Sequence, residues 1–245
     1  MKFFSILLGA SMMLLTTTGN TQTVNALTQK EIREGWKLLF NGKDFAGWHK
    51  YGGGAPGTSW KIDAGAMKLN VPTRAGNKAP DGGDLVMDQE IKGDFEFMVE
   101  WKIEKYTNSG IFLFVHEDKK YPHIYSTGLE LQVIDDHIYE GAEENTHRAG
   151  DFFSVANARL RELNPIGNWN KVHVLLKNNK LTVTQNGYIV QEHNLNGADW
   201  KKRIGDSKIN SAPIAKGDFT GRIGLQDWGS TVWFRNAKLK VISSK

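Results

Sequence analysis

Between Phe95 and Ile103 the chain reads FEFMVEWKI, with Phe95, Phe97, Val99, Trp101 and Ile103 alternating against Glu96, Met98, Glu100 and Lys102. A period of two belongs to a strand with one buried face; a helix would scatter these apolar residues around its axis. The same grammar recurs along the chain. Ile111 to Val115 is apolar on both faces, so both sides of that strand need cover. Val172, Val174 and Leu176 alternate up to a turn at Asn178-Asn179, and Leu181 to Gln185 leads through Asn186-Gly187 into Tyr188 to Glu192, a strong hairpin signal. Thr58 to Asp63 and Ala66 to Val71 form a second hairpin around Ala64-Gly65, and Gly221 to Gln226 and Thr231 to Val241 are the closing strands. Helix is confined to Thr28 to Gly35, where Thr28 caps with Glu31 three residues on, and to Gly197 to Ile204. Many short strands, little helix and no repeat period predict an all-β jelly-roll sandwich of two curved antiparallel sheets, with the first and last strands side by side.

A chain of 245 residues with 40% apolar content suits one such domain. It contains no cysteine, which excludes disulfides, thiolate zinc sites and a cysteine nucleophile. Net charge is +4, or +3 without Lys2 (30 basic minus 27 acidic residues). Apart from Lys201-Lys202-Arg203 the basic residues are scattered, so there is no stripe for nucleic acid. At the N-terminus, Lys2 precedes an apolar stretch from Phe3 to Leu15 and then the polar run TTTGNTQT. The stretch is too short for a stable membrane anchor and has the pattern of a secretory signal peptide. Cleavage is expected at Val24-Asn25-Ala26 or nearer Gly19. The expected organisation is a leader over about 1–26 and one domain over 27–245. The mature chain is expected to be periplasmic or secreted, with no membrane span.

The chemistry is concentrated between Asn108 and Asp136, where two β-like runs flank a polar, aromatic loop. Glu130, Gln132 and Asp135 follow an E-x-Q-x-x-D pattern, with Asp136 and His137 next. Such groups are costly to gather on a sheet unless they pair, bind a ligand or catalyse. Residues 130 and 132 share a strand face, and 135 joins them only if a β-bulge near Val133 or Ile134 inserts one residue. Sandwich glycosidases place two carboxylates around a glycosidic bond in this way. The competing reading is an edge strand with solvated polar residues. His116, at the end of the preceding strand, and His137, beside Asp135, are candidates for proton transfer. Asn108 opens its strand, either as a turn residue or as a ligand for a sugar hydroxyl, and Arg148 lies in a rim loop. Trp228 follows Gln226-Asp227 at a strand end and is expected to wall a sugar cleft with its apolar face. No sharp metal signature is present; Asp135, Asp136 and nearby carbonyls are the candidates for a Ca²⁺ site.

The segments GWKLLFNGKDFAGW (35–48), NSGIFLFV (108–115), TGLELQVIDD (127–136), HRAGDFFSV (147–155), GNWNKVHV (167–174), NGYIVQEH (186–193) and GRIGLQDWGSTVWFRNAKLKVI (221–242) span nearly the whole mature chain. In this order they resemble the 3-keto-disaccharide (3-keto-glycoside) hydrolase family. The resemblance implies a concanavalin A-like jelly roll and exported enzymes acting on glycosides oxidised at C3. It implies a site on the concave sheet with Glu130, Gln132 and Asp135, neighboured by Asn108, Arg148 and Gln226 and, at the same strand end, Asp227. The family usually shows LQDHG where this chain has Leu225-Gln226-Asp227-Trp228-Gly229, so a titratable His is replaced by an apolar Trp.

With that resemblance the expected reaction is proton abstraction at C2 by Glu130 or Asp135, elimination at C1 assisted by His116 or His137, and hydration. Gln132, Arg148 or Ca²⁺ would stabilise the enediolate. Two other readings remain: a retaining glycoside hydrolase with Glu130 as nucleophile and Asp135 as acid, and a non-catalytic carbohydrate-binding module built on Trp228.

Overall fold

A computed structural model describes residues 23–73, 76–138 and 146–242. The leader and a cut near Gly19 lie outside the described residues. In chain order the strands are β1 (Lys37–Leu38), β2 (Trp48–Lys50), β3 (Trp60–Asp63), β4 (Ala66–Leu69), β5 (Leu85–Met87), β6 (Phe95–Ile103), β7 (Asn108–Val115), β8 (Leu129–Ile134), β9 (Asn170–Lys177), β10 (Lys180–Gln185), β11 (Tyr188–Asn194), β12 (Arg222–Leu225) and β13 (Val232–Val241). Two short α-helices, α1 (Gln29–Arg33) and α2 (Ala198–Asp206), stand at positions close to those expected. The larger sheet runs β11-β10-β9-β6-β13-β4-β3, with β1 also pairing to β13; the smaller runs β2-β5-β12-β7-β8. All the pairings are antiparallel. Among the described residues no helix is long and apolar enough to cross a membrane.

The alternation in β6 is realised as strict burial of every second residue, from Phe95 to Ile103. These side chains meet Leu129, Leu131 and Val133 of β8 in one core between the sheets. Each fully buried apolar side chain of this size contributes about 1.5–3 kcal/mol. The strand expected to be covered on both sides, β7, is buried throughout. Ile111 and Leu113 join the main core, while Phe112 and Val115 form a smaller cluster with Val86 and Ile124 on the opposite face.

One sheet irregularity falls elsewhere than the sequence predicts. The β7–β8 ladder is unbroken from Leu113↔Leu129 to Asn108↔Ile134, so β8 has no bulge at Val133 or Ile134. The bulge is in β7, opposite β12, where Arg222 pairs with Val115 but Gly224 pairs with Phe112. Phe114 takes a positive φ of 60° there and turns into the main core beside Leu113.

The two ends of the domain are tied together. Strand β1 pairs with β13 through Lys37↔Leu239 and Leu38↔Lys238. The capping box of α1 forms with Thr28 and Glu31, and Lys238 Nζ reaches Glu31 Oε1 at 2.9 Å. Before the helix, Asn25 and Asn236 bond reciprocally: the Asn25 N–H donates to Asn236 Oδ1 at 2.6 Å, and the Asn236 N–H to Asn25 Oδ1 at 2.8 Å. Asn25 Nδ2 also donates to the Gly65 carbonyl at 2.6 Å. Asn236 has φ 53° at a register shift in β13, so its N–H leaves the ladder and needs this acceptor. Asn25→Ala is expected to cost about 1–3 kcal/mol, by leaving these groups unmatched, with no change in sheet content. Urea unfolding followed by tryptophan fluorescence, alongside far-UV circular dichroism, measures both.

Candidate active site

The parity of the β7–β8 ladder builds the site. Leu129, Leu131 and Val133 face the core, so Glu130 and Gln132 project from the opposite face of the smaller sheet. Gly110 stands directly across from Gln132, and Asn108 lies two residues away on the same face. Just beyond β12, the Gln226 N–H donates to the Gly110 carbonyl at 2.9 Å. A cavity of about 490 Å³ opens over this strip, lined by Asn108, Glu130, Gln132 and Gln226 and walled by Tyr125, Trp228 and Phe153. Gly110 has a steric purpose here. A Cβ at that position would fall 2.6 Å from Glu130 Oε1, so the carboxyl lies across bare backbone.

Glu130 is only 6% exposed. Burial pushes its carboxyl up to about 8, the negative charge of Asp84 acts in the same direction, and a hydrogen bond from the Gln226 side chain offsets part of the rise. Gln132 Oε1 and Gln226 Oε1 are buried beside it and accept no hydrogen bond from protein donors among the described residues. Buried acceptors of this kind are normally satisfied, and the hydroxyls of a sugar would satisfy them.

Asp84, which the sequence reading did not single out, is the second carboxyl. It precedes β5 and lines an adjoining cavity of about 330 Å³ that shares Tyr125, Gln226 and Trp228 with the first. Burial pushes Asp84 up to about 7; the N–H of Asp227, donated to Asp84 Oδ1 at 2.9 Å, and the charge of Lys78 pull the other way, while the Asp227 charge adds to the rise. Nothing in the local sequence DGGDL marks this residue, because the Asp227 N–H it accepts comes from 143 positions away. Tyr125 and His147, which the sequence reading did not single out, also line the first cavity.

The remaining candidates are placed elsewhere or used otherwise. Without a bulge in β8, Asp135 is not brought to Glu130. Its Oδ2 accepts from the Tyr106 N–H at 2.8 Å and its Oδ1 from the His137 N–H at 3.2 Å and Nδ1 at 3.0 Å. Burial would raise this carboxyl, but those donors hold it below the usual range. Asp135, Asp136 and His137 line a separate cavity of about 340 Å³ beside Trp101 that has no lining residue in common with the first. Asp136 Oδ1 accepts from the Ala149 N–H at 2.7 Å. Oxygens committed to N–H donors do not fit Ca²⁺, and among the described residues no group of three or more His, Asp or Glu side chains is placed to hold a metal. His116 Nε2 sits 3.1 Å from the Thr220 carbonyl and lines neither of the two adjoining cavities. Arg148 turns toward the buried Asp151, with Nε 3.7 Å from Oδ2, and likewise lines neither. Asp227 borders the second cavity, but its carboxylate is a clip on backbone: it accepts from the N–H groups of Ala79 at 2.9 Å, Gly83 at 2.7 Å and Gly229 at 3.0 Å. Of the expected set, the structure gathers Asn108, Glu130, Gln132, Gln226 and Trp228 around one cavity.

Residues 35–240 match the family model described as the 3-keto-alpha-glucoside-1,2-lyase-like domain. The chain belongs to that family. A family relative from Bacteroides thetaiotaomicron, the 3-keto-disaccharide hydrolase, is 31% identical over 231 residues, covering 85% of this chain and 79% of the relative. A crystal structure from Parabacteroides distasonis, of a protein assigned as a glycosyl hydrolase, superposes with a TM-score of 0.78 at 31% identity and covers 90% of this chain and 100% of that one. A second from the same organism, at 22% identity with a TM-score of 0.63 over 84% of this chain and 99% of that one, shares the fold. Family membership makes this chain a glycoside-cleaving enzyme of the hydrolase–lyase type.

Keeping Glu130 in place has a thermodynamic signature. Its folded value of about 8 lies above the ordinary 4.5, so the stability it contributes is full below pH 4.5 and is lost as pH rises through about 8. Glu130→Gln removes that loss. The variant is expected to be more stable than the parent at pH 9, by on the order of a few kcal/mol, and close to it at pH 4.5. Denaturant unfolding at the two pH values tests the sign.

Proposed function

We propose that the enzyme cleaves glycosides already oxidised to a ketone at C3 of the sugar, by elimination and rehydration rather than by direct displacement. The observation that carries this reading is the buried Glu130, raised to about 8, facing a cavity with two unmatched amide acceptors and a second raised carboxyl, Asp84, next door. A ketone at C3 acidifies the hydrogen on C2. Removing that proton needs a base stronger than an ordinary carboxylate, and Glu130 in its ionised form is one. The C2 proton passes to Glu130, the electron pair forms the enediolate, and the C1–O bond breaks as the double bond shifts to C1–C2. Asp84, protonated in the tautomer of the singly protonated pair that leaves Glu130 ionised, gives its proton to the departing glycosidic oxygen. Water then adds at C1 and a proton returns to C2, so the net change is hydrolysis. Amide N–H groups of Gln132 and Gln226 are placed to serve the oxyanion. A retaining glycosidase with Asp135 as its acid is disfavoured because Asp135 lines a separate cavity and is not brought to Glu130. We also propose export, on the strength of the apolar leader from Phe3 to Leu15. The bonds of Asn25 favour a cut before that residue, because cleavage after Ala26 would remove it.

Incubation with a matched pair of glucosides, one bearing the 3-keto group and one not, is expected to release aglycone only from the ketone, with deuterium from solvent appearing at C2. Glu130→Gln should lower kcat roughly 10²–10⁴-fold. Release from the unoxidised glucoside, or product without deuterium at C2, rules the mechanism out. The active form holds one proton on the Glu130–Asp84 pair, so kcat/KM should follow a bell whose limbs lie at about 7 and about 8. A rate profile flat from pH 6 to 9 contradicts the paired assignment.

A further inference from the structure

The active-site cavity is one end of a line. The first cavity, of about 490 Å³, and the second, of about 330 Å³, share Tyr125, Gln226 and Trp228. The second shares Tyr51 and Pro122 with a further cavity of about 500 Å³ at His49, Gly52, Gly53, Glu117 and Tyr121. The first and the last have no lining residue in common, so the three follow one another with the smallest in the middle.

Aromatic rings mark the path. His123 stacks on Tyr125 with centroids 4.8 Å apart and planes 15° from parallel, and Tyr125 meets Trp228 edge-on at 6.4 Å. Tyr125 remains 41% exposed despite these contacts, leaving a ring face to solvent. The far cavity carries polar groups held by hydrogen bonds. Glu117 is fixed by the Gly52 N–H at 3.0 Å and by His49 Nε2 at 2.8 Å, while His49 Nδ1 is 2.6 Å from Asp88. Tyr51 is pinned by its hydroxyl, which donates to the Tyr121 carbonyl at 2.9 Å. Gly52 and Gly53 turn there with φ 81° and 104°, and a Cβ at either would meet nothing within 4 Å, so the floor is open backbone. Tyr121 lines the far cavity half-buried, with Lys120 Nζ 5.0 Å from its ring centroid. The exposed face of Tyr125, the Tyr121 ring and the fixed polar groups suit sugar rings, whose C–H faces stack while their hydroxyls hydrogen-bond.

We propose that this groove binds an oligosaccharide of three rings: the keto ring over Glu130, the departing ring in the middle cavity beside Asp84, and the next ring against Tyr121. The proposal rests on the reading above for which ring reacts; the groove itself does not. Its consequence is that a disaccharide leaves the far cavity unfilled.

The test is a matched 3-keto disaccharide and 3-keto trisaccharide of the same linkage, each with the ketone on the non-reducing ring. The trisaccharide is expected to have roughly tenfold higher kcat/KM, the effect of one stacked ring. Tyr121→Ala should bring the ratio of the two toward one. Equal kcat/KM for the two substrates, or a trisaccharide advantage that survives Tyr121→Ala, overturns the proposal. If neither ketone is cleaved, the reaction assigned above fails and the groove is still tested. Unoxidised di- and trisaccharides titrated against intrinsic tryptophan fluorescence should show the same length dependence, abolished by Tyr121→Ala, and binding that is indifferent to length refutes the groove.

Discussion

The site depends on the unbroken pairing of two strands. Because β7 and β8 keep register from Asn108↔Ile134 to Leu113↔Leu129, side chains on β8 are sorted strictly by parity. Three apolar residues enter the core, and Glu130 and Gln132 have nowhere to go but the opposite face. That face would be an ordinary wet sheet surface if it were left bare. Phe112, Val115, Val86 and Ile124 cover one part of it with a small apolar cluster, and two separate loops, one carrying Tyr125 and the other Trp228, rise over the rest. The depth of the carboxyl follows from that cover, and its raised proton affinity follows from the depth.

Such an arrangement works against stability. A carboxyl that resists ionisation, a second one in the neighbouring cavity, and amide oxygens without donors among the described residues are each unfavourable in a folded chain. They persist because the surroundings are over-determined. The double-sided burial of β7, the continuous core between the sheets and the Asp227 clip on three backbone N–H groups leave the side chains little room to relax. Gly110 and Gly82 belong to the same device: a Cβ at 82 would fall 2.1 Å from Asp227 Oδ2, as one at 110 would meet Glu130.

Much of the fold is legible in the chain because local rules set it. Alternation in β6, the Asn186-Gly187 turn with φ 50° and 88°, and the Thr28 capping box each involve residues a few positions apart. Glu130 and Gln132 were legible by the same parity rule. The error at Asp135 came from assuming a bulge on the strand that carried the interesting residues; the extra residue fell in β7, where it lets Leu113 and Phe114 both enter the core. No local pattern distinguishes these cases, since both strands are apolar and the choice is made by packing. Asp84 was invisible for a different reason. Its character comes from burial and from Asp227, more than 140 residues later, and its own neighbourhood reads as a plain Gly-rich turn. His116 and His137 drew attention as titratable groups beside the cluster, yet each has a partner outside the cavity: the Thr220 carbonyl for His116 and the Asp135 carboxylate for His137.

The place of β13 bears on how the molecule is made. This last strand lies in the interior of the larger sheet, between β6 and β4, and it also receives β1 and the reciprocal bonds from Asn25. Synthesis therefore delivers β13 after every strand it pairs with. Until residues 232–241 emerge, β4 and β6 have no common neighbour and the amino-terminal segment has nothing to dock on. Closure at such large sequence separation is slow. A chain assembled in this order can form its hairpins early but cannot complete its larger sheet until β13 has been made.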